Sequence, residues 1–312
     1  MNRRRRSHAR EIRRRVLPIL EVLLVSAIWG SSFVGVKAAL DYAGPLTIAA
    51  LRYSVAAALL IPFIDWHQVL RFRRHAGLWI RLLAIGLCQY TIGNGALFLA
   101  LRLIPATSAS LALSLCPIPV WVFGALALRE RPNGMQWMGT AAAIGGSFLF
   151  FRAGFVAVPP AAIGLLLLAV LSFAVLPVVG RDLSRDGRVS NTALAGIPLA
   201  FGGGVLIVIA VLAEGIPQLP AATWGIIIGL ALVNTLGGYL LFNHALRRIR
   251  AGEANVLLTL TPISTAVIAW AAFGERLTVL QLCAMAIVIG GVGVAQRRRT
   301  KRDLSRNSGI RE

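Results

Sequence analysis

Acidic residues are scarce in this chain: 12 Asp and Glu stand against 32 Lys and Arg in 312 residues, and charged residues amount to 14%. Soluble domains carry about 25%, so a chain this poor in charge has too little polar surface for a water-soluble fold. Cysteine occurs three times, at Cys88, Cys116 and Cys283, each inside an apolar run and with no paired spacing. That excludes a disulfide framework and a cysteine-bound metal and leaves small core residues. Histidine is equally sparse. His8, His67 and His75 fall in a tail or loop, and His244 stands alone near the end of an apolar run. No Walker loop, His-Glu-x-x-His motif or carboxylate pair at catalytic spacing is present. An ATP-driven pump with its engine in the same chain and a zinc protease are therefore excluded. No cofactor or metal is expected, and the chain reads as a protein other than an enzyme.

Apolar length, by contrast, is abundant. Hydrophobic residues make up 57% of the chain and the mean hydropathy is +0.75. Ten apolar runs can be marked, at 18–40, 44–64, 78–101, 105–128, 134–151, 161–180, 192–213, 221–246, 251–273 and 277–296. At about 1.5 Å per helical residue each can cross roughly 30 Å of hydrocarbon. Helices are expected because each then satisfies its own backbone polar groups.

A net charge of +20 invites a nucleic-acid reading. The basic residues, however, lie in two tails and in short connections between apolar runs, so the expected partners are a lipid bilayer and a small-molecule substrate, with no nucleic acid. If the N-terminus is cytoplasmic, 27 of the 32 Lys and Arg fall on the inside, three (Arg102, Arg152 and Arg276) fall outside, and Lys37 and Arg52 lie within runs. This bias predicts ten spans with both termini in the cytoplasm. Met1–Arg15 resembles a signal-peptide n-region, but the run after it is too long for an h-region and lacks a cleavage site, so it is retained as a tail.

The chain also repeats itself. Aligned at a constant offset of 145, Gly93–Arg152 and Gly238–Arg297 share 21 of 60 positions without a gap. Matched landmarks include Pro117 with Pro262, Glu130-Arg131 with Glu275-Arg276, Gln136 with Gln281, and Gly145-Gly146 with Gly290-Gly291. Lys37 pairs with Arg181 at an offset of 144. Five helices per half is an odd number, so the second half enters the membrane upside down. The expected fold class is an all-α membrane protein of ten transmembrane helices in two inverted five-helix repeats. A basic cytoplasmic tail (1–17) precedes repeat one (18–152), and repeat two (161–296) precedes a second basic tail (297–312). Inverted repeats around a central site are the signature of alternating-access secondary transporters.

The candidate cavity residues are polar groups inside the runs: Trp29, Ser32, Arg52, Tyr90, Asn94, Ser110, Ser114, Asn234, Tyr239, Asn255 and Thr259. Ser110 and Ser114 are four apart and share a helical face, as do Asn255 and Thr259 in the second copy. Pro117 and Pro262 are expected to kink their helices. Arg52 is too deep to snorkel comfortably and is read either as a structural bond to a neighbouring helix or as an anion-binding group. Lys37, nearer a helix end, is either an anchor or a ligand contact. Asn133 with Gln136 and Thr278 with Gln281 read as capping boxes. Glu130 and Glu275, just before those starts, suit the helix dipole and carry gate or coupling roles as the alternative. The Gly-Gly pairs read as close-packing positions.

Trp29-Gly30-Ser31-Ser32-Phe33 with Lys37, Leu51-Arg52-Tyr53, Ala100-Leu101-Arg102 with Ala106 and Ser108, and Gly274-Glu275-Arg276-Leu277-Thr278 with Gln281 resemble the EamA repeat of the drug/metabolite transporter superfamily. The resemblance covers roughly 18–296. It implies a ten-helix inverted-repeat transporter of the bacterial inner membrane that exports amino acids, related metabolites or toxic small molecules. A passive channel, an importer or an exchanger is the alternative. It further implies that helices one to four and six to nine surround the cavity, with five and ten peripheral. Arg129-Glu130 departs from the Gly-Glu usual in the family, and Pro198 replaces the first half's Arg.

Overall fold

The computed structural model describes residues 2–151, 159–273 and 278–296. Glu275 and the tail 297–312 lie outside the described residues. Among those described, all regular structure is helical. We label the principal helices α1 (Asn2–Ala39), α2 (Pro45–Leu60), α3 (Ala76–Leu103), α4 (Ala106–Leu113 and Pro117–Ala127), α5 (Gly134–Phe151), α6 (Pro160–Asp186), α7 (Asn191–Glu214), α8 (Ala221–Leu246), α9 (Ala251–Leu258 and Thr261–Phe273) and α10 (Val279–Gln296). Among the described residues, nine helices are long and apolar enough to cross a membrane; α5 is not one of them. Leu20, Leu126, Leu167, Val208, Leu212 and Ile289 are exposed on the outer surface, as a hydrocarbon environment permits.

Three features depart from a plain run of straight helices. First, the basic segment 1–17, expected as a separate tail, is helical from Asn2 and continuous with the apolar part of α1. Arg is a good helix former and the stretch before Pro18 holds no Gly or Pro, so nothing in it stops the helix. Second, α3 and α8 each contain an eight-residue π segment, Gly86–Gly93 and Leu230–Gly237. Third, α4 and α9 each break immediately before their proline. At these breaks the backbone bonds tighten from i−4 to i−3: Cys116 N–H donates to Leu113 O at 3.0 Å, and Leu260 N–H to Leu257 O at 3.1 Å. Proline has no N–H to continue the ladder, and before Pro117 the tight turn satisfies the Leu113 carbonyl it leaves free.

The most extensive helix pairs are α5 with α10 and α2 with α7. Both depend on missing side chains. A Cβ at Gly139 would lie 2.4 Å from Ala295 N, and one at Gly291 2.6 Å from Ala143 N. Of the Gly-Gly pairs, Gly146 and Gly291 sit in this contact, while Gly145 and Gly290 face open space. At the start of α2 the Glu214 carboxylate accepts from Leu46 N–H (3.0 Å) and Thr47 N–H (2.8 Å). At the start of α7, Ser190 N–H donates to Gln68 Oε1 at 2.7 Å, and Ser190 Oγ accepts from Ala193 N–H at 3.2 Å. Helix α1 packs against α8 and α9, and α3 against α6 and α7, closing the bundle around a central space.

Candidate functional site

That space is a cavity of about 120 Å³. Helix α1 contributes Trp29, Ser32, Phe33 and Val36, and α2 contributes Arg52. From α3 come Gln89, Asn94, Leu97, Phe98 and Leu101, and from α4 Ser110, Leu113 and Cys116. Helix α6 adds Phe173, Leu176 and Pro177, α8 adds Tyr239 and Phe242, and α9 adds Asn255, Leu258 and Thr261. Helices α5, α7 and α10 supply none of these residues.

Of the residues expected at a cavity, Trp29, Ser32, Arg52, Asn94, Ser110, Tyr239 and Asn255 are brought together on its wall. Tyr90, Ser114, Asn234 and Thr259 are not; all four are buried behind it. The reason lies in the irregular backbone. In a π segment residues five apart share a face. Asn94 therefore lines up with Gln89, donating Nδ2–H to Gln89 O at 2.6 Å, and not with Tyr90. Across the i−3 turns of α4 and α9 the facing residues recur at intervals of three. The lining is Ser110, Leu113 and Cys116 in one helix and Asn255, Leu258 and Thr261 in the other. Ser114 and Thr259, four residues on from Ser110 and Asn255, are turned away. Gln89, Cys116 and Thr261 were missed because α-helical spacing was assumed throughout. The matched prolines were the available signal that the spacing changes.

The buried residues behind the wall still position it. Asn234 accepts from Trp29 Nε1–H through its backbone oxygen at 3.0 Å, and its amide donates to Ile28 O and to Ser31 Oγ. Trp29 is thereby held against Tyr239 and Phe242, with ring centroids 5.2 and 5.4 Å away. Tyr239 meets Tyr90 edge-on at 5.0 Å and accepts from Gln89 Nε2–H at 3.0 Å. Tyr90 in turn packs on Tyr53 at 5.2 Å. Arg52 lies at the end of this aromatic row. Its Nε–H donates to Thr235 Oγ1 and its Nη1–H to Ser32 Oγ, both at 2.7 Å, and its guanidinium carbon is 5.5 Å from the Tyr53 ring centre.

Charged groups also gather beyond the cavity. Lys37, next to the lining residue Val36, donates from Nζ to Leu101 O at 2.8 Å. Arg181, one turn past Pro177, donates from Nη1 to Leu246 O at 2.6 Å and from Nε to Glu130 Oε1 at 2.7 Å. Arg185 reaches the same oxygen at 3.5 Å. Glu130 is therefore the acceptor of an ion pair with α6. The α5 start is capped by Asn133 and Gln136, which exchange backbone-to-side-chain bonds of 2.8 and 3.0 Å. Gln136 also donates to Glu253 Oε1 at 3.2 Å. At the α10 start Thr278 N–H donates to Gln281 Oε1 at 2.8 Å, and Gln281 N–H to Thr278 Oγ1 at 3.3 Å. His244 Nδ1 lies 2.8 Å from Glu21 Oε1. No group of three or more His, Cys, Asp or Glu converges among the described residues.

A mostly apolar cavity at the centre of a bundle of membrane-length helices defines a class, the multi-pass membrane transporters. The sequence profile of the EamA-like transporter family matches residues 16–152 and 160–295, and the chain belongs to that family. It is 24% identical over 278 residues to the uncharacterized transporter YyaM of Bacillus subtilis, covering 86% of this chain and 89% of that one. It is 28% identical over 301 residues to the uncharacterized transporter YcxC of the same organism, with 91% and 95% covered. The uncharacterized inner membrane transporter YedA of Escherichia coli K12 is 23% identical over 287 residues, with 89% and 90% covered. One solved crystal structure shares the fold with a TM-score of 0.71 at 19% identity, covering 90% of this chain and 98% of that one.

Proposed function

We propose that this protein is a secondary transporter of the inner membrane that works by alternating access and exports amino acids, related metabolites or toxic small molecules. In this reading it crosses the bilayer ten times as two inverted five-helix repeats, 18–152 and 161–296, with both termini cytoplasmic. It does not carry out chemistry on its cargo. Helix α5 is the tenth span: it has 18 residues, as α10 does, and packs along α10.

The observation that carries the reading is a pair of matched anchors. Lys37 and Arg181 occupy equivalent places in the two halves, and so do their acceptors Leu101 and Leu246. Each cation ties the end of the first helix of its half to the carbonyl closing the third. Antiparallel halves put these two ties on opposite sides of the cavity. The breaks at Pro117 and Pro262 and the lining positions Ser110/Asn255, Leu113/Leu258 and Cys116/Thr261 recur at an offset of 145, and the π segments at 144. Two like halves can exchange conformations, and releasing one tie while the other holds opens the cavity to one side at a time.

Counterflow tests this reading. Proteoliposomes preloaded with unlabelled metabolites from the cytosol should take up a labelled metabolite faster than empty ones. Uptake that is linear in concentration and indifferent to preloading would mark a passive channel.

A further inference from the structure

We propose that Arg52 is the anion-binding group of the cavity and that the cargo is a small organic monoanion, a carboxylate with an apolar or aromatic body. The proposal rests on the cavity being the transport site and names the class of molecule that site takes.

Of the described residues lining the cavity, Arg52 is the one that is charged, and it is only 4% exposed. Among the described residues no carboxylate lies within ion-pairing distance of it. Its partners Ser32 and Thr235 are neutral hydroxyls. A guanidinium has five N–H donors; the two bonds to these hydroxyls leave Nη2, with two donors, unmatched by any described side chain. Arginine cannot shed its charge as a buried lysine can. Taking a cation out of water without a counter-ion costs several kcal/mol, and intramembrane charges persist chiefly where they serve a ligand or pathway. The Tyr53 face offsets only part of that cost. An arriving carboxylate offsets it by accepting a charge-assisted hydrogen bond from Nη2–H.

The rest of the wall describes the body of the ligand. Phe98, Leu113, Phe173, Leu176 and Leu258 give it an apolar surface, and Trp29 and Tyr239 add aromatic surface. No acid on the wall could pair with an amine and Arg52 repels a cation, so the wall favours an anion. The volume of about 120 Å³ is close to the ~150 Å³ that holds a benzene ring. A single ring or short aliphatic chain is therefore about the largest body it encloses.

Cys116 lies on the wall and reports occupancy without any change to the site. In a Cys88→Ser, Cys283→Ser background, its rate of reaction with N-ethylmaleimide would be measured in purified protein at pH 7 with phenylacetate, phenylacetamide or 2-phenylethylammonium. Phenylacetate should slow labelling at least fivefold, with the other two changing it less than twofold. Arg52→Gln should raise the half-protecting phenylacetate concentration at least tenfold, and Arg52→Lys less. The ligand series needs no change at Arg52, so it stands even if Arg52→Gln misfolds. Protection by the amide or the amine equal to that by the carboxylate overturns the proposal and leaves the cavity as transport site. Labelling that no ligand slows also overturns it. If burial keeps Cys116 from reacting at pH 7, the same three ligands are titrated into the purified protein by calorimetry, with the same outcomes for and against the proposal.

Discussion

Replacing Glu130 by Gln should loosen the closure beyond the end of the cavity nearest Glu130. The pair Arg181–Glu130 is closed at 2.7 Å, and its side chains are only 10% and 9% exposed. Breaking a buried pair outright costs about 3–5 kcal/mol. Here the loss is smaller. Arg181 keeps its bond to Leu246 O, and Gln retains a neutral acceptor in place of the carboxylate. The net difference is that between a charged and a neutral hydrogen bond, about 1 kcal/mol. Every 1.4 kcal/mol is a factor of ten, so the state open on that side should gain about fivefold over the closed one. In the background with Cys116 as the sole cysteine, an impermeant maleimide would be applied to membrane vesicles from the side that carries Glu130. The labelling rate should rise by about that factor, and labelling from the opposite side should fall. Unchanged rates on both sides, in a variant that elutes as a single folded species, would refute the latch.

Two further outcomes are expected. Arg129, exposed and the single non-glycine at positive φ (56°) among the described residues, sits where the second copy has Gly274. Relieving a left-handed residue returns about 1–2 kcal/mol, and the added freedom of glycine when unfolded takes back about half. Arg129→Gly should therefore raise the melting temperature of the purified protein by a few degrees, and a fall would show that the backbone there is not strained. A single cysteine at Asp41, which is exposed, should label with an impermeant maleimide on intact cells; labelling only after permeabilisation would invert the proposed orientation. Glu214 is unsuited to that experiment because its carboxylate caps α2.

Hydropathy and the periodic charge made the helices legible in the sequence, because both follow from the bilayer acting on each segment separately. The polar residues of the cavity were legible as a set, since seven of the proposed eleven reach the wall. What escaped was local register. Tyr90 and Thr259 carry the right chemistry, but they sit within a π segment and a 3₁₀-like turn, where α-helical spacing puts side chains on the wrong face. Glu130 escaped for a different reason. Its position before α5 suggested a local dipole contact, whereas its partner, Arg181, is 51 residues away and is brought to it only by the packing of α6. Long-range ion pairs leave no trace in a local pattern.

Helices α2 and α7 run side by side, with the start of each secured by a residue that follows the other: Glu214 from the end of α7 and Gln68 from just beyond α2. A beam pinned at both ends cannot slide along its own length. Axial slippage between these helices is therefore blocked, and rotation about their shared long axis is the freedom that remains. The pair would act as an axle in the proposed alternation, and Arg52, seated on it beside the Tyr53–Gly203 contact, would stay put while the walls around it swing.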